Sequence, residues 1–193
     1  MTARFDGKRV LITQADTFMG PALCEVFAEQ GAQVVADTEP LADPAYPQAM
    51  IEAAGRLDVL IANLAVPAPS THAHEVSEWR HVFAHMVDPL PRLFRAVLPQ
   101  MLERRAGKIV LMGSASALRG MKRTSSYSGA RGAQLAYVQA VGVEVAPHNV
   151  QVNAIAQNFV DNPTYFPAEV QANPRFQRER FLTPGTGYQP GNA

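Results

Sequence analysis

Arg9-Val10-Leu11-Ile12-Thr13-Gln14-Ala15-Asp16-Thr17-Phe18-Met19-Gly20 is the stretch on which the fold turns. Its first five residues form a short apolar run of strand length. Gln14 to Thr17 reads as a turn, and a helical pattern follows from about Phe18 to Gln30, stopped by Gly31. The same alternation continues outward. Gln33-Val34-Val35-Ala36-Asp37 is a second strand, and Thr38 to Pro47, with Pro40, Pro44 and Pro47, reads as loop. A helix is expected over about Gln48 to Ala54, ended by Gly55, and a third strand over Leu57 to Asn63. Glu75 to Arg104 is a long helical region, interrupted or kinked near Pro89 and Pro91. Lys108 to Met112 is a strand, Ser125 to Val145 a helix and Asn149 to Ile155 the last strand. Five apolar strands alternating with helices predict an α/β fold, a doubly wound parallel sheet with helices on both faces. Such sheets bind ligands beyond the carboxyl ends of their strands. That directs attention to residues 13–20, 37, 63–70, 112–118 and 155–167.

Composition narrows the partners. The 193 residues carry 17 basic and 17 acidic side chains, so no net field favours nucleic acid or an anionic membrane. The single cysteine, Cys24, rules out an internal disulfide and suits a reducing, cytoplasmic compartment. It lies in an apolar stretch, where a small buried hydrophobe is the expectation rather than a nucleophile. No apolar run approaches the ~20 residues of a membrane span.

The first turn is informative for what it lacks. A dinucleotide turn needs glycines, because backbone must approach the pyrophosphate at the helix N-terminus. Thr13-Gln14-Ala15-Asp16-Thr17-Phe18-Met19-Gly20 resembles the T-G-x-x-x-G-x-G pattern of the short-chain dehydrogenases/reductases, but only Thr13 and Gly20 match. Gln14 and Phe18 stand at the other two glycine positions. Phe18 would lie where the pyrophosphate approaches, and Asp16 would repel it, so loss of nucleotide binding is expected. Gly20 is explained by close helix–sheet packing. Asp37 stands where an acidic residue would hold an adenosine ribose; it reads either as that or as a polar strand end. Asn63-Leu64-Ala65 retains part of the family's Asn-Asn-Ala-Gly motif.

Tyr127 and Arg131 are four apart at the start of a helix and project from one face, with Ser114 thirteen residues upstream of Tyr127 after a strand. This resembles the dehydrogenase Ser…Tyr-x-x-x-Lys, with arginine in place of lysine. Serine, tyrosine and arginine at this spacing resemble the triad of the halohydrin dehalogenases, a dehydrogenase-like family without cofactor. A free tyrosine, with a pKa of about 10, is a poor base at neutral pH, and a fixed guanidinium favours its phenolate. Tyr127 would take the proton of a substrate hydroxyl while Ser114 holds the same oxygen. The alkoxide would then expel halide from the neighbouring carbon and close an epoxide, with no hydride moved and no nicotinamide needed. Ser116 is an alternative hydroxyl; Ser125, Ser126 and Ser128 read as helix-start residues.

The resemblance further implies a halide and substrate pocket in the loop after the last strand. Gln157, Asn158, Phe159 and Tyr165 would line it and Phe18 would close it from the first turn; aromatics merely packing a surface loop is the other reading. It implies no cofactor, no metal and a homotetramer or dimer formed through helices 75–104 and 125–145. His72, His74, His81 and His85 are expected to be surface or packing residues. The resemblance places residues 1–182 in one Rossmann-like domain that lacks the family's last strand and helix. Residues 183–193 read as a disordered tail, and an apolar strip is expected at the sheet edge. Two rival readings stay open, a nicotinamide-dependent oxidoreductase with an unusual turn and an inactive truncated scaffold.

Overall fold

The computed structural model describes residues 3–67, 76–119, 123–158, 160 and 167–174. The strands are β1 (Arg9–Ile12), β2 (Gln33–Ala36), β3 (Val59–Ala62), β4 (Gly107–Met112) and β5 (Val150–Ile155). They form one sheet in the order β2-β1-β3-β4-β5, with every neighbouring pair parallel. β3 is buried at all four positions and β1 at its last three, which is why both read as continuous apolar runs rather than alternating ones. β5, at the edge, alternates instead: Val150 and Val152 are buried, whereas Gln151, Asn153 and Ile155 are exposed. The anticipated apolar strip there is thus mostly polar, with Ile155 its one large hydrophobe.

The helices are α1 (Gly20–Glu29), α2 (Tyr46–Ala54), α3 (Val76–Met86), α4 (Pro89–Glu103), α5 (Ser125–Val145) and α6 (Ala168–Gln171). The long helical region splits where Pro89 begins α4. A proline has no N–H to offer the preceding turn, but its fixed φ suits the first position of a new helix. Two cores result. Leu11, Leu60, Ile109, Leu111 and Val152 face the helices α2, α4 and α5. Val10, Ile12, Val59 and Ile61 meet Leu23, Cys24 and Phe27 of α1 on the other side. Cys24 packs there as a partly buried hydrophobe, and burial pushes its thiol up, which disfavours the reactive thiolate.

The chain crosses from β2 over β1 to β3 through α2, so the strand order reverses between β1 and β3. The carboxyl ends of these two strands open there on a crevice. The turns after β4 and β5 lie beside it on the same edge.

Candidate active site

At the switch point, the first turn is closed by its own side chains. Gln14 and Phe18 have φ of +47° and +53°, so both replacements keep a left-handed backbone that favours glycine. The Gln14 amide pairs with the backbone of Ala65, donating from Nε2 to its carbonyl at 3.0 Å and accepting its N–H at 2.9 Å. Asn63 donates from Nδ2 to the carbonyls of Gln14 (3.0 Å) and Thr17 (3.2 Å). The Thr13 hydroxyl donates to the Asn63 carbonyl and accepts its N–H. Gly20 is required by contact: a Cβ there would stand 2.2 Å from the Gln14 carbonyl oxygen. The close approach is to the backbone of the turn itself rather than the helix–sheet packing expected from sequence.

The end of β2 is closed too. The Tyr46 hydroxyl donates to Asp37 Oδ1 at 2.5 Å, while Oδ2 is buried with no partner among the described residues. Burial raises the Asp37 carboxyl above its ordinary value, against the opposing effect of the Tyr46 bond. That same bond, with burial, pushes the Tyr46 phenol up to about 12. These residues depart from a dinucleotide site in two respects. Side chains occupy two glycine positions, and the ribose-holding carboxylate is engaged by a tyrosine nine residues on. Nothing in the sequence marked Tyr46 for this.

On the other side of the crevice, α5 begins at Ser125 and presents Tyr127 and Arg131 inward, 8% and 3% exposed. The Arg131 guanidinium carbon lies 5.0 Å from the centre of the Tyr127 ring, within cation–π range. Its Nη1 donates to the carbonyls of Met112 (2.8 Å) and Leu64 (3.1 Å) and to Gln134 Oε1 (3.0 Å). Among the described residues the ion pair is Arg56–Asp58, so oxygen dipoles rather than a carboxylate compensate this buried cation. Tyr127 packs with Val66, Val82, Met86 and Ala130, which keep water from its ring.

Ser114 follows β4 and caps the short 3-10 turn Ala115–Ala117, which packs against α5. Its Oγ accepts from the N–H (3.2 Å) and the hydroxyl (3.0 Å) of Ser116, which leaves its own proton to donate outward. Ser116, the alternative hydroxyl, is buried and serves Ser114. Ser125, Ser126 and Ser128 lie in the first turn of α5 as expected, with Thr124 as the preceding residue.

The loop after β5 is tied to this turn. Ala115 N–H donates to the Gln157 carbonyl at 2.7 Å, and Arg119 Nη2 donates to Asn158 Oδ1 at 2.6 Å. Gln157 is thus joined to the turn that Ser114 caps and Asn158 to the residue Arg119 just after it, while Phe18, half-buried, lies in the first turn. Phe159, Tyr165, His72, His74 and residues 183–193 fall outside the described residues. Arg119 and Gln134 were missed from sequence. Gln134 had a signal, as a polar residue on the otherwise largely apolar stripe Tyr127, Ala130, Val138, Val141, Val145. The His81 and His85 rings lie 4.3 Å apart on α3, tilted by 42°, and the described residues hold no group of three or more metal-ligating side chains. No described helix is long and apolar enough to cross a membrane.

Known proteins resemble this chain over the same elements. The short chain dehydrogenase family profile matches residues 41–173. The reductase 3-oxoacyl-(acyl-carrier-protein) reductase FabG of Vibrio cholerae is 25% identical, over 81% of this chain and 75% of its own. A solved structure described as "Dehalogenation enzyme" is 30% identical with a TM-score of 0.80, covering 89% of this chain and 80% of that one. Levodione reductase, at 21% identity and a TM-score of 0.81 over 91% of this chain and 81% of its own, shares the fold. The fold, the strand order and the family match agree: this chain belongs to the short-chain dehydrogenase family.

Proposed function

We propose that this protein is a cofactor-independent halohydrin dehalogenase, a carbon–halogen lyase that converts vicinal haloalcohols to epoxides. One observation carries the reading. The chain that holds an arginine against Tyr127 also closes its dinucleotide turn with Gln14 and Phe18. A cation is kept at the tyrosine, and the turn that would receive a redox cofactor carries side chains at two glycine positions.

Tyr127 is the base that takes the proton of the substrate hydroxyl, with Arg131 as the fixed positive charge beside it. Ser114 donates a hydrogen bond to the same oxygen and keeps its proton. That oxygen forms a bond to the adjacent carbon as the carbon–halogen bond breaks, and halide departs with the bonding pair. The proton passes from Tyr127 to solvent. Run in reverse, an anion opens the epoxide. The halide is assigned to the loop after β5, with Phe18, Gln157, Asn158, Phe159 and Tyr165 around it. Arg119 holds Asn158 through Oδ1, which leaves Nδ2 to donate to an anion. The enzyme is assigned to the cytoplasm as a homotetramer or dimer through α4 and α5, acting on small molecules and not on nucleic acid or membrane.

The relative titled dehalogenation enzyme supports this reading; the FabG-type relatives favour a second, a nicotinamide-dependent short-chain oxidoreductase. Chloride and proton release from 1,3-dichloro-2-propanol tests the first. Titration with NAD(H) and NADP(H) tests the second, and micromolar binding without chloride release would replace the first by it.

A further inference from the structure

We propose that Gln134 is a positioning residue of this site, whose amide holds the Arg131 guanidinium in the orientation that it presents to Tyr127. Gln134 lies one turn beyond Arg131 on α5 and is fully buried. Its two ends face opposite chemistry. Oε1 accepts from Arg131 Nη1 at 3.0 Å, while Nε2 donates to the Met86 carbonyl at 2.6 Å and the Leu64 carbonyl at 3.3 Å. An amide turned over would set its oxygen against two carbonyl oxygens and its NH2 against a cation, so one orientation alone satisfies the site.

The bonds form a closed circuit. Leu64 O accepts from both Arg131 Nη1 and Gln134 Nε2, and Gln134 accepts from Arg131 in turn. The guanidinium is thereby referred to three separate elements: the segment after β3 through Leu64, the end of β4 through Met112 and the end of α3 through Met86. Among the described residues, the hydrogen bond from this circuit to α3 is made by Gln134. Since Met86 also packs against Tyr127, the same helix end fixes both partners of the cation–π pair. Gln134 itself is placed behind the guanidinium and acts through it.

A double-mutant cycle on the full chain tests this. Gln134→Met replaces the amide by an apolar side chain of similar length, and Arg131→Lys removes the planar group it holds. For chloride release from 1,3-dichloro-2-propanol, Gln134→Met is expected to lower kcat about 10-fold with KM within about threefold. In the Arg131→Lys background the same substitution is expected to change kcat less than about twofold. Equal losses in both backgrounds overturn the inference, because Gln134 would then act through packing alone. The kinetic arm rests on the dehalogenase reading, so a second arm avoids it. The 15N NMR signal of Arg131 Nε–H, assigned by its loss in Arg131→Lys, should shift or broaden in Gln134→Met. An Arg131 signal unchanged in Gln134→Met overturns the inference. A signal that behaves as expected in a protein that releases no chloride sustains it, and removes the dehalogenase reading instead.

Discussion

The two sides of the crevice are built from the same materials to opposite ends. In the first turn, Gln14, Asn63 and Thr13 are polar side chains that hydrogen-bond to backbone, and each bond joins one part of the protein to another. At the start of α5, Arg131 and Gln134 also bond to backbone, yet Tyr127, over whose ring Arg131 lies, and Ser114, after β4, are proposed to keep chemistry to offer. Satisfying every buried polar group makes a joint. Bonding the supporting groups to backbone while leaving a phenol and a hydroxyl to act makes the proposed site. The difference does not lie in residue type, since an amide serves in both places.

The largest effect expected is on the α5 side. Tyr127→Phe removes one oxygen and keeps the ring under Arg131, so chloride release should fall by about 10³-fold or more while thermal unfolding moves little. Activity retained in that variant would leave the α5 side with no more chemistry than the turn, and the comparison would collapse.

The next largest falls on the turn and reads stability. Gly20→Ala places a Cβ 2.2 Å from the Gln14 oxygen and 2.6 Å from the Ala15 carbonyl group, all backbone that cannot give way cheaply. A loss of about 3 kcal/mol in urea unfolding is expected. A neutral result would mean that the turn is not the rigid joint described.

Tyr46→Phe is smaller and depends on pH. Burial raises the folded-state value of the Asp37 carboxyl, so the fold prefers its protonated form. The stability linked to that preference is present at low pH and is lost as pH rises through the raised value. The Tyr46 bond opposes the rise, and without it the ionised carboxylate is less well held. Tyr46→Phe should therefore destabilise by about 1–2 kcal/mol near pH 7 and by less near pH 3, as read by unfolding at the two pH values. Loss of the same size at both would show that Tyr46 contributes packing alone.

Gln14→Gly should change least. It gives up the two bonds to Ala65 but relieves a left-handed φ that costs a non-glycine residue about 1 kcal/mol, so the net shift in unfolding is expected below about 1 kcal/mol. A large loss would show that the amide bridge, rather than Gly20, holds the turn.

The sheet was legible because buried parallel strands write themselves as apolar runs. β1, β3 and β4 lie within a residue or two of their expected places, and α5 spans Ser125–Val145 as read. Residue identity at the glycine positions also spoke directly, since a missing glycine is visible without coordinates. The Arg56–Asp58 pair and the Arg9 N–H are different. Burial alone would raise Asp58, but the Arg9 N–H bond and the Arg56 charge hold it below its ordinary value, and no motif announces that.

By itself the sequence determined the alternation of strand and helix, the altered first turn and the face shared by Tyr127 and Arg131. These depend on local period and residue type, which a chain carries wherever it goes. Only the tertiary structure decided which carbonyls receive Arg131, that Tyr46 seals Asp37, that Gln14 reaches Ala65 and that Gln134 ties α5 to the end of α3. Each of those bonds crosses between elements, over separations from 9 to 67 residues. Their partners are mostly backbone oxygens and N–H groups, which every residue possesses. Position in the folded sheet, not side-chain identity, selects among them.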